Sequence, residues 1–393
     1  MKENPFRFGA PVEGVFYFER KRLRDSCEAL LANGMSVMLV GPRRLGKTSF
    51  AKNFCKMWET KRLGDALILD VYNVSSHQDF LLQLLNALQS KRSLWEKVCD
   101  WTKRLPERLK PANLSVGNDD IGKLTLSWLA EEGAQEKKLY IIETLESLAT
   151  LDGHVCVVID ECQQLSKDTL GDEGWLEATL RQMLQTQAGK VSYLLTGSRR
   201  DVVHAMVNDN QRPLYRAFHV IDFPALESDF SAWIIERFNV ANVNASMEVV
   251  SYLRQQVNDS TNYVQMVCFH LVAMDCGTVD KTLIDTVLAN IVTQNAYSYE
   301  THLHNLSPAQ QRVLRMLALE DEGYYSEPLL KRYEINSTAH VTNAINALKR
   351  KNILDQEAAG RGRVSFDDPL FKLWIRYKWG GLLPGQTAQP TLI

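Results

Sequence analysis

The sequence predicts an α/β fold built on a parallel sheet, followed by a helical unit and then by a winged helix-turn-helix. Three observations predict it. In the first half, short and almost continuously apolar runs alternate with segments of helical period, the pattern of strands buried on both faces between covering helices. From Leu226 to about Tyr299 the pattern is helical throughout. Beyond Ser307, three helical segments precede two short strand runs that flank Gly360-Arg361-Gly362, the order of elements in a winged helix.

The elements follow in sequence. Residues 36–40 are a short apolar strand bounded by glycine, and residues 48–60 a helix. Residues 66–72 form a second strand, and 79–88 a helix with apolar side chains at helical spacing. An insertion at about 90–150 carries two alternating runs, 114–116 and 123–128, around the turn Gly117-Asn118-Asp119-Asp120, which reads as a hairpin flanked by helices. Strands follow at 155–160 and 191–196, with a helix at 175–186 between them, and 218–222 supplies a fifth. Asp222-Phe223-Pro224 is the expected junction to a helical lid over 225–300. Ser307-Pro308, a cap residue with proline at the first helical position, opens a winged helix domain over 301–380. Its helices are expected at 309–319, 327–333 and 338–351, and its wing at 353–356 and 363–366. Residues 381–393 read as a flexible tail.

A chain of 393 residues, 45% hydrophobic and 23% charged, is too long for one ordinary core and too apolar for disorder. The net charge of -2 argues against a wholly basic nucleic-acid coat. No run approaches the roughly 18 residues of a membrane span, and no secretion signal opens the chain, so a soluble cytoplasmic protein without membrane partners is expected. The seven cysteines are scattered without a Cys-x-x-Cys pair, which disfavours a zinc site and a disulfide framework.

Gly41-Pro42-Arg43-Arg44-Leu45-Gly46-Lys47-Thr48 fits G-x-x-x-x-G-K-[ST] and sits between a predicted strand and a predicted helix, the context a phosphate loop requires. The glycines let backbone N–H groups turn inward on phosphate, and the helix N-terminus, opened by Lys47, Thr48 and Ser49, adds its partial positive charge. Lys47 would reach the β- and γ-phosphates and Thr48 would ligate Mg²⁺. Val157-Val158-Ile159-Asp160-Glu161 is an apolar strand ending in two acids. Asp160 would hold Mg²⁺ through water, and Glu161 would polarise the attacking water. Together these elements predict a P-loop NTPase sheet of the ASCE type. Gly197-Ser198-Arg199-Arg200 follows the next strand at the same carboxyl edge, where ligands bind. Ser198 is a candidate γ-phosphate sensor, and Arg199 or Arg200 a candidate for stabilising transition-state charge in its own site or a neighbour's; helix-start residues paired to Asp201, Asp209 or solvent are the alternative.

In the winged helix, the recognition-helix candidate carries Asn343, Asn346, Lys349, Arg350 and Lys351, amide and basic groups suited to DNA or to a protein partner. Residues 301–393 hold twelve Lys and Arg against nine Asp and Glu, a mild excess of +3.

With those residues in place, the chain resembles STAND-class P-loop ATPases, most closely the archaeal-type ATPases of archaea and bacteria. The likeness spans nearly the whole length. It rests on Phe8-Gly9-Ala10-Pro11-Val12-Glu13-Gly14, the run Gly41 to Ser49, Ile159-Asp160-Glu161-Cys162-Gln163, and Asp368-Pro369-Leu370-Phe371-Lys372-Leu373-Trp374, together with the inserted hairpin. Cys162 stands where the family often has Phe, and the lid's expected Gly-x-Pro turn has no clear counterpart around Asn258-Asp259-Ser260-Thr261-Asn262-Tyr263.

The resemblance implies a nucleotide-gated switch in which core, lid and winged helix close around ATP, and hydrolysis or exchange resets the arrangement. ATP is implied by this likeness; the guanine-reading Asn-Lys-x-Asp motif is not evident. The first functional reading is therefore an ATP-binding, slowly hydrolysing, Mg²⁺-dependent switch that engages a protein partner, with a nucleotide-dependent homo-oligomer as a further expectation. A DNA-binding ATPase, similar in layout to origin-recognition or transposition-helper ATPases, is the second, and a nucleotide-stabilised interaction scaffold without enzymatic activity the third.

Overall fold

The computed structural model describes residues 3–91, 95, 133–355 and 364–380. The chain divides into two compact units, one comprising Glu19–Gly41 and Lys47–Pro224, the other Met1–Phe18, Pro42–Gly46 and Ala225–Ile393. The expected hairpin at 114–128 lies outside the described residues.

The first unit is built on a five-stranded sheet in the order β2-β3-β4-β1-β5. The strands are β1 (Val37–Val40), β2 (Asp65–Asp70), β3 (Val155–Asp160), β4 (Val191–Gly197) and β5 (His219–Asp222). Every pairing is parallel, with Val40 beside Gly197 and Asp222, and Asp70 beside Asp160. β4 therefore stands as the additional strand between β1 and β3, as the ASCE reading expects. Every residue of β1, β3 and β4 is buried, whereas the edge strands β2 and β5 are partly exposed. The second strand ends at Asp70, two residues earlier than the apolar run suggests, because the backbone turns there and Val74 N–H donates to the Val71 carbonyl at 3.0 Å.

Among the described residues the sheet is accompanied by α1 (Lys21–Ala32), α2 (Lys47–Thr60), α3 (His77–Gln89), α4 (Ala134–Leu148) and α5 (Trp175–Thr186), with a single turn of helix at Lys167–Leu170 ahead of α5; α6 (Arg200–Asn208) follows β4. Ser76 caps α3 by accepting from Asp79 N–H. The core includes Phe80, Leu84, Leu145, Val157, Tyr193 and Leu195, each at most 1% exposed. A buried ion cluster lies at its rim: Arg212 donates to Glu177, to Ser166 Oγ at 2.9 Å and to Asp168 at 2.8 Å, while Glu177 also accepts from Lys167 N–H at 2.9 Å.

The second unit is helical: α7 (Ser228–Val240), α8 (Met247–Gln256), α9 (Thr261–Ala273), α10 (Lys281–Gln294) and α11 (Ala296–His304). Phe230, Ile234, Val264, Leu271 and Ile284 are fully buried, and Phe6 from the start of the chain sits edge-on to Phe238 and Trp233. Ser246 and Asp280 cap α8 and α10. The winged helix follows with α12 (Pro308–Leu319), α13 (Glu327–Arg332) and α14 (Thr338–Arg350), each within one residue of the expected bounds. Ser307 and Gln310 form a reciprocal capping box at the start of α12, with Pro308 at the first helical position.

Of the expected wing, the described residues show one antiparallel bridge, Leu354 to Phe366, flanked by bonds between Asp355 and Ser365 and between Asp367 and Ile353. The last helix, α15 (Pro369–Gly380), carries Phe371 and Trp374 against Tyr299, with ring centroids 5.3 and 5.8 Å away. Among the described residues no helix is long and apolar enough to cross a membrane.

Candidate functional site

The chain leaves β1 at Gly41 and enters α2 at Lys47. Gly41 is required by close approach, since a Cβ there would meet Phe223 Cβ at 2.8 Å. Gly46 is required by conformation, because its φ of 92° is reached comfortably only without a Cβ. Arg44 also takes positive φ, 65°. Left-handed residues alternating with right-handed ones turn successive N–H groups to one side, which makes an anion cradle at the helix N-terminus.

Lys47 is 5% exposed, and its ammonium donates to the Gly41 carbonyl at 2.8 Å. Thr48 is half-buried and Ser49 buried on the first turn of α2. The Thr48 hydroxyl donates to Asp160 Oδ2 at 2.5 Å, and Thr196 from the neighbouring β4 donates to Oδ1. Asp160 is 1% exposed. Burial raises its carboxyl pKa, and the two hydroxyls oppose that rise by stabilising the ionised form. A hard cation suits these oxygens: Thr48 and Asp160 are the residues that would hold Mg²⁺.

Glu161, next along the chain, adopts left-handed backbone with φ 60° and ψ 42°. Its Oε2 accepts from Ser198 Oγ at 2.6 Å and from Gln163 Nε2. Lys47, Thr48, Asp160, Glu161 and Ser198 are thus brought to one edge of the sheet, as a parallel register with β1, β3 and β4 adjacent requires. Arg199 is not gathered with them; its guanidinium turns to Asp201 at 3.3 Å on its own helix, and Arg200 lies 3.9 Å from Asp222.

The crown of the loop, Pro42–Gly46, belongs to the second unit. Arg43 is exposed there, and Pro42 and Leu45 are half-buried. The Leu45 carbonyl accepts from Thr261 Oγ1 at 3.1 Å, and the Arg44 carbonyl from Ser260 Oγ and Asn262 N–H, each at 3.4 Å. The Arg44 guanidinium lies 5.0 Å from the Tyr263 ring centroid and 3.6 Å from Asp368 Oδ2. Burial and the Asp368 charge push the Tyr263 phenol well above its ordinary pKa. Burial likewise raises the Asp367 carboxyl, against the pull of Arg44 and Arg43.

On α14, Asn343, Asn346 and Arg350 are exposed and Lys349 is half-buried. Lys351 is engaged elsewhere: its ammonium donates to the Asn305 carbonyl at 2.8 Å, fastening the end of the helix to the α11–α12 turn. Sequence reasoning missed Thr196, Gln163 and the Ser260–Tyr263 contacts with the loop crown. Gln163 and Asp368 were visible only as letters of a family motif, and nothing in the local pattern ties residue 44 to residue 261.

A parallel sheet in this order, with a phosphate loop leaving β1 and an acidic pair leaving β3, is the P-loop ATPase fold, here followed by a winged helix. A family model described as a probable winged helix domain matches residues 297–377. Solved structures are similar along nearly the whole chain, among them the following two. The Walker-type ATPase PABY2304 of Pyrococcus abyssi has a TM-score of 0.60 at 18% identity, covering 92% of this chain and 96% of that one. The ORC2 protein of Aeropyrum pernix, in ADPNP–ADP complexes, has a TM-score of 0.51 at 14% identity, covering 92% and 93%. At these identities the fold is what is shared. No functionally curated protein matches the chain.

Proposed function

We propose that the protein is an ATP-binding, slowly hydrolysing, Mg²⁺-dependent molecular switch of the STAND type, working in the cytoplasm. In it the helical lid and winged helix rearrange with nucleotide state to engage a partner. One observation carries the switch: the crown of the phosphate loop is bonded to Ser260, Thr261 and Asn262 and paired with Asp368, so residues that would sense phosphate are held by residues of the lid and winged helix. A phosphate group that reorients the crown disturbs those bonds, and their rupture is a differential contact that a nucleotide can use to shift a population.

In the hydrolytic step, Lys47 neutralises phosphate charge, and Mg²⁺ supplies further charge stabilisation when bound at Thr48 and Asp160. Glu161 takes a proton from water, whose oxygen bonds to the γ-phosphorus while the bond to the β–γ bridging oxygen breaks and its electron pair leaves on ADP. Ser198 keeps the Glu161 carboxylate at the edge of β4.

A second reading, a DNA-binding ATPase, is favoured by the exposed amide and guanidinium face of Asn343, Asn346 and Arg350 on α14. The deciding experiment is steady-state ATP hydrolysis by wild type and Glu161→Gln, each with and without duplex DNA at fixed moderate salt. A slow Glu161-dependent rate indifferent to DNA supports the protein-directed switch. Several-fold stimulation by DNA that Arg350→Glu removes moves the second reading ahead. No measurable ATP affinity in folded protein ends both.

A further inference from the structure

Gln163 is 2% exposed, yet it lies two residues beyond Glu161 and both ends of its amide are used. Nε2 donates to Glu161 Oε2 and approaches Ser198 Oγ at 3.3 Å, while Oε1 accepts from Ser198 N–H at 3.2 Å. The seat exists because Gly197 has no side chain: a Cβ there would stand 3.2 Å from Gln163 Oε1 and 2.5 Å from Val203 Cγ2. Only a planar group with a donor on one side and an acceptor on the other satisfies both partners at once.

We propose that Gln163 is a positioning residue for Glu161, clamping Oε2 of the carboxylate so that Oε1 is the oxygen presented to the attacking water. This rests on the ATPase reading above. The left-handed backbone of Glu161 carries the side chain toward β4, and a carboxylate on a single-atom anchor such as the Ser198 hydroxyl retains rotational freedom. The buried amide removes that freedom, because its own orientation is fixed by the Ser198 N–H. A general base is effective only when held within hydrogen-bond reach of the proton it accepts. The clamp therefore acts on turnover and leaves nucleotide affinity alone.

The test compares Gln163→Glu and Gln163→Met, each in the wild-type and Glu161→Gln backgrounds. It measures kcat and KM for ATP hydrolysis and the Kd of a fluorescent ATP analogue. Gln163→Met removes the donor without adding charge, whereas Gln163→Glu keeps the shape and the oxygen that accepts from Ser198 N–H but sets a second carboxylate against Glu161 and takes the donor from Ser198 Oγ as well. If Gln163→Met does not fold, Gln163→Glu carries the test through the requirement that its loss vanish in the Glu161→Gln background. The expected result is a fall in kcat of at least about tenfold in both variants, with KM and Kd within about twofold, and no further fall when Glu161 is already Gln. An unchanged or raised kcat, an equal loss in the Glu161→Gln background, or a loss carried by KM overturns the proposal alone. A wild type whose turnover does not depend on Glu161 overturns the ATPase reading and the clamp with it.

Discussion

Arg212→Met breaks the buried ion cluster of the first unit from one side. The Arg212 side chain is 2% exposed and Glu177 0%, whereas Asp168 is 62% exposed and can turn to water. The loss therefore falls on Glu177, left with the Lys167 N–H as its remaining donor in the cluster. Stranding one partner of a buried pair costs about 3–5 kcal/mol, because the remaining charge stays desolvated. Removing both charges with Arg212→Met and Glu177→Leu eliminates that penalty, and the double variant should return to within about 2 kcal/mol of wild type. Urea unfolding of the full chain, followed by a probe in the first unit, measures the four free energies of wild type, Arg212→Met, Glu177→Leu and the double variant. Additive losses in the double variant, or less than about 1 kcal/mol for Arg212→Met, would refute the account of Glu177 as a charge that depends on Arg212. The cluster also bears on the site, since Arg212 holds Ser166 three residues beyond Gln163; Arg212→Met should lower hydrolysis as well as stability.

Lys47→Ala removes the buried ammonium of the phosphate loop and should weaken nucleotide binding at least about a hundredfold by fluorescent-nucleotide titration, with little change in unfolding midpoint. Thiol modification has a clear pH sense: burial pushes the Cys27 and Cys55 thiols up to about 12, so at pH 8 only about one in ten thousand is thiolate. Among the described cysteines Cys276, which is half-buried, should react with a disulfide reagent in folded protein, and the buried five only on unfolding. Ser337 caps α14 by accepting from His340 N–H, so Ser337→Ala should destabilise the winged helix by about 1 kcal/mol, read by thermal unfolding.

The strands and helices were legible because the sheet is buried on both faces: Val37–Val40, and β3 up to the terminal Asp160, leave no polar position to blur their period. The phosphate loop and acidic pair were legible because their spacing along the chain is itself the chemistry. The side chains that bond to those two acids were not. Thr196 reaches Asp160 only through the β3–β4 register, and Gln163 reaches Ser198 only through the left-handed turn at Glu161. The contacts of Arg44 with Tyr263 and Asp368 bridge more than two hundred residues of sequence and depend on packing of α9 and α15, which no local pattern encodes. Arg199 shows the opposite limit. Its place at the carboxyl edge is readable, but the direction of a long side chain with a neighbouring aspartate is not.

Thr48 and Thr196 hold Asp160 through hydroxyl groups, and a hydroxyl is a proton on a freely turning single bond. A cation beside Thr48 would call on that hydroxyl to turn its hydrogen away and offer a lone pair in place of its bond to Asp160. Loading and unloading of the seat would then trade a hydroxyl–carboxylate bond for a hydroxyl–cation contact. The signature of that trade would lie in the exchangeable hydrogen of Thr48, seen by methods that follow such hydrogens.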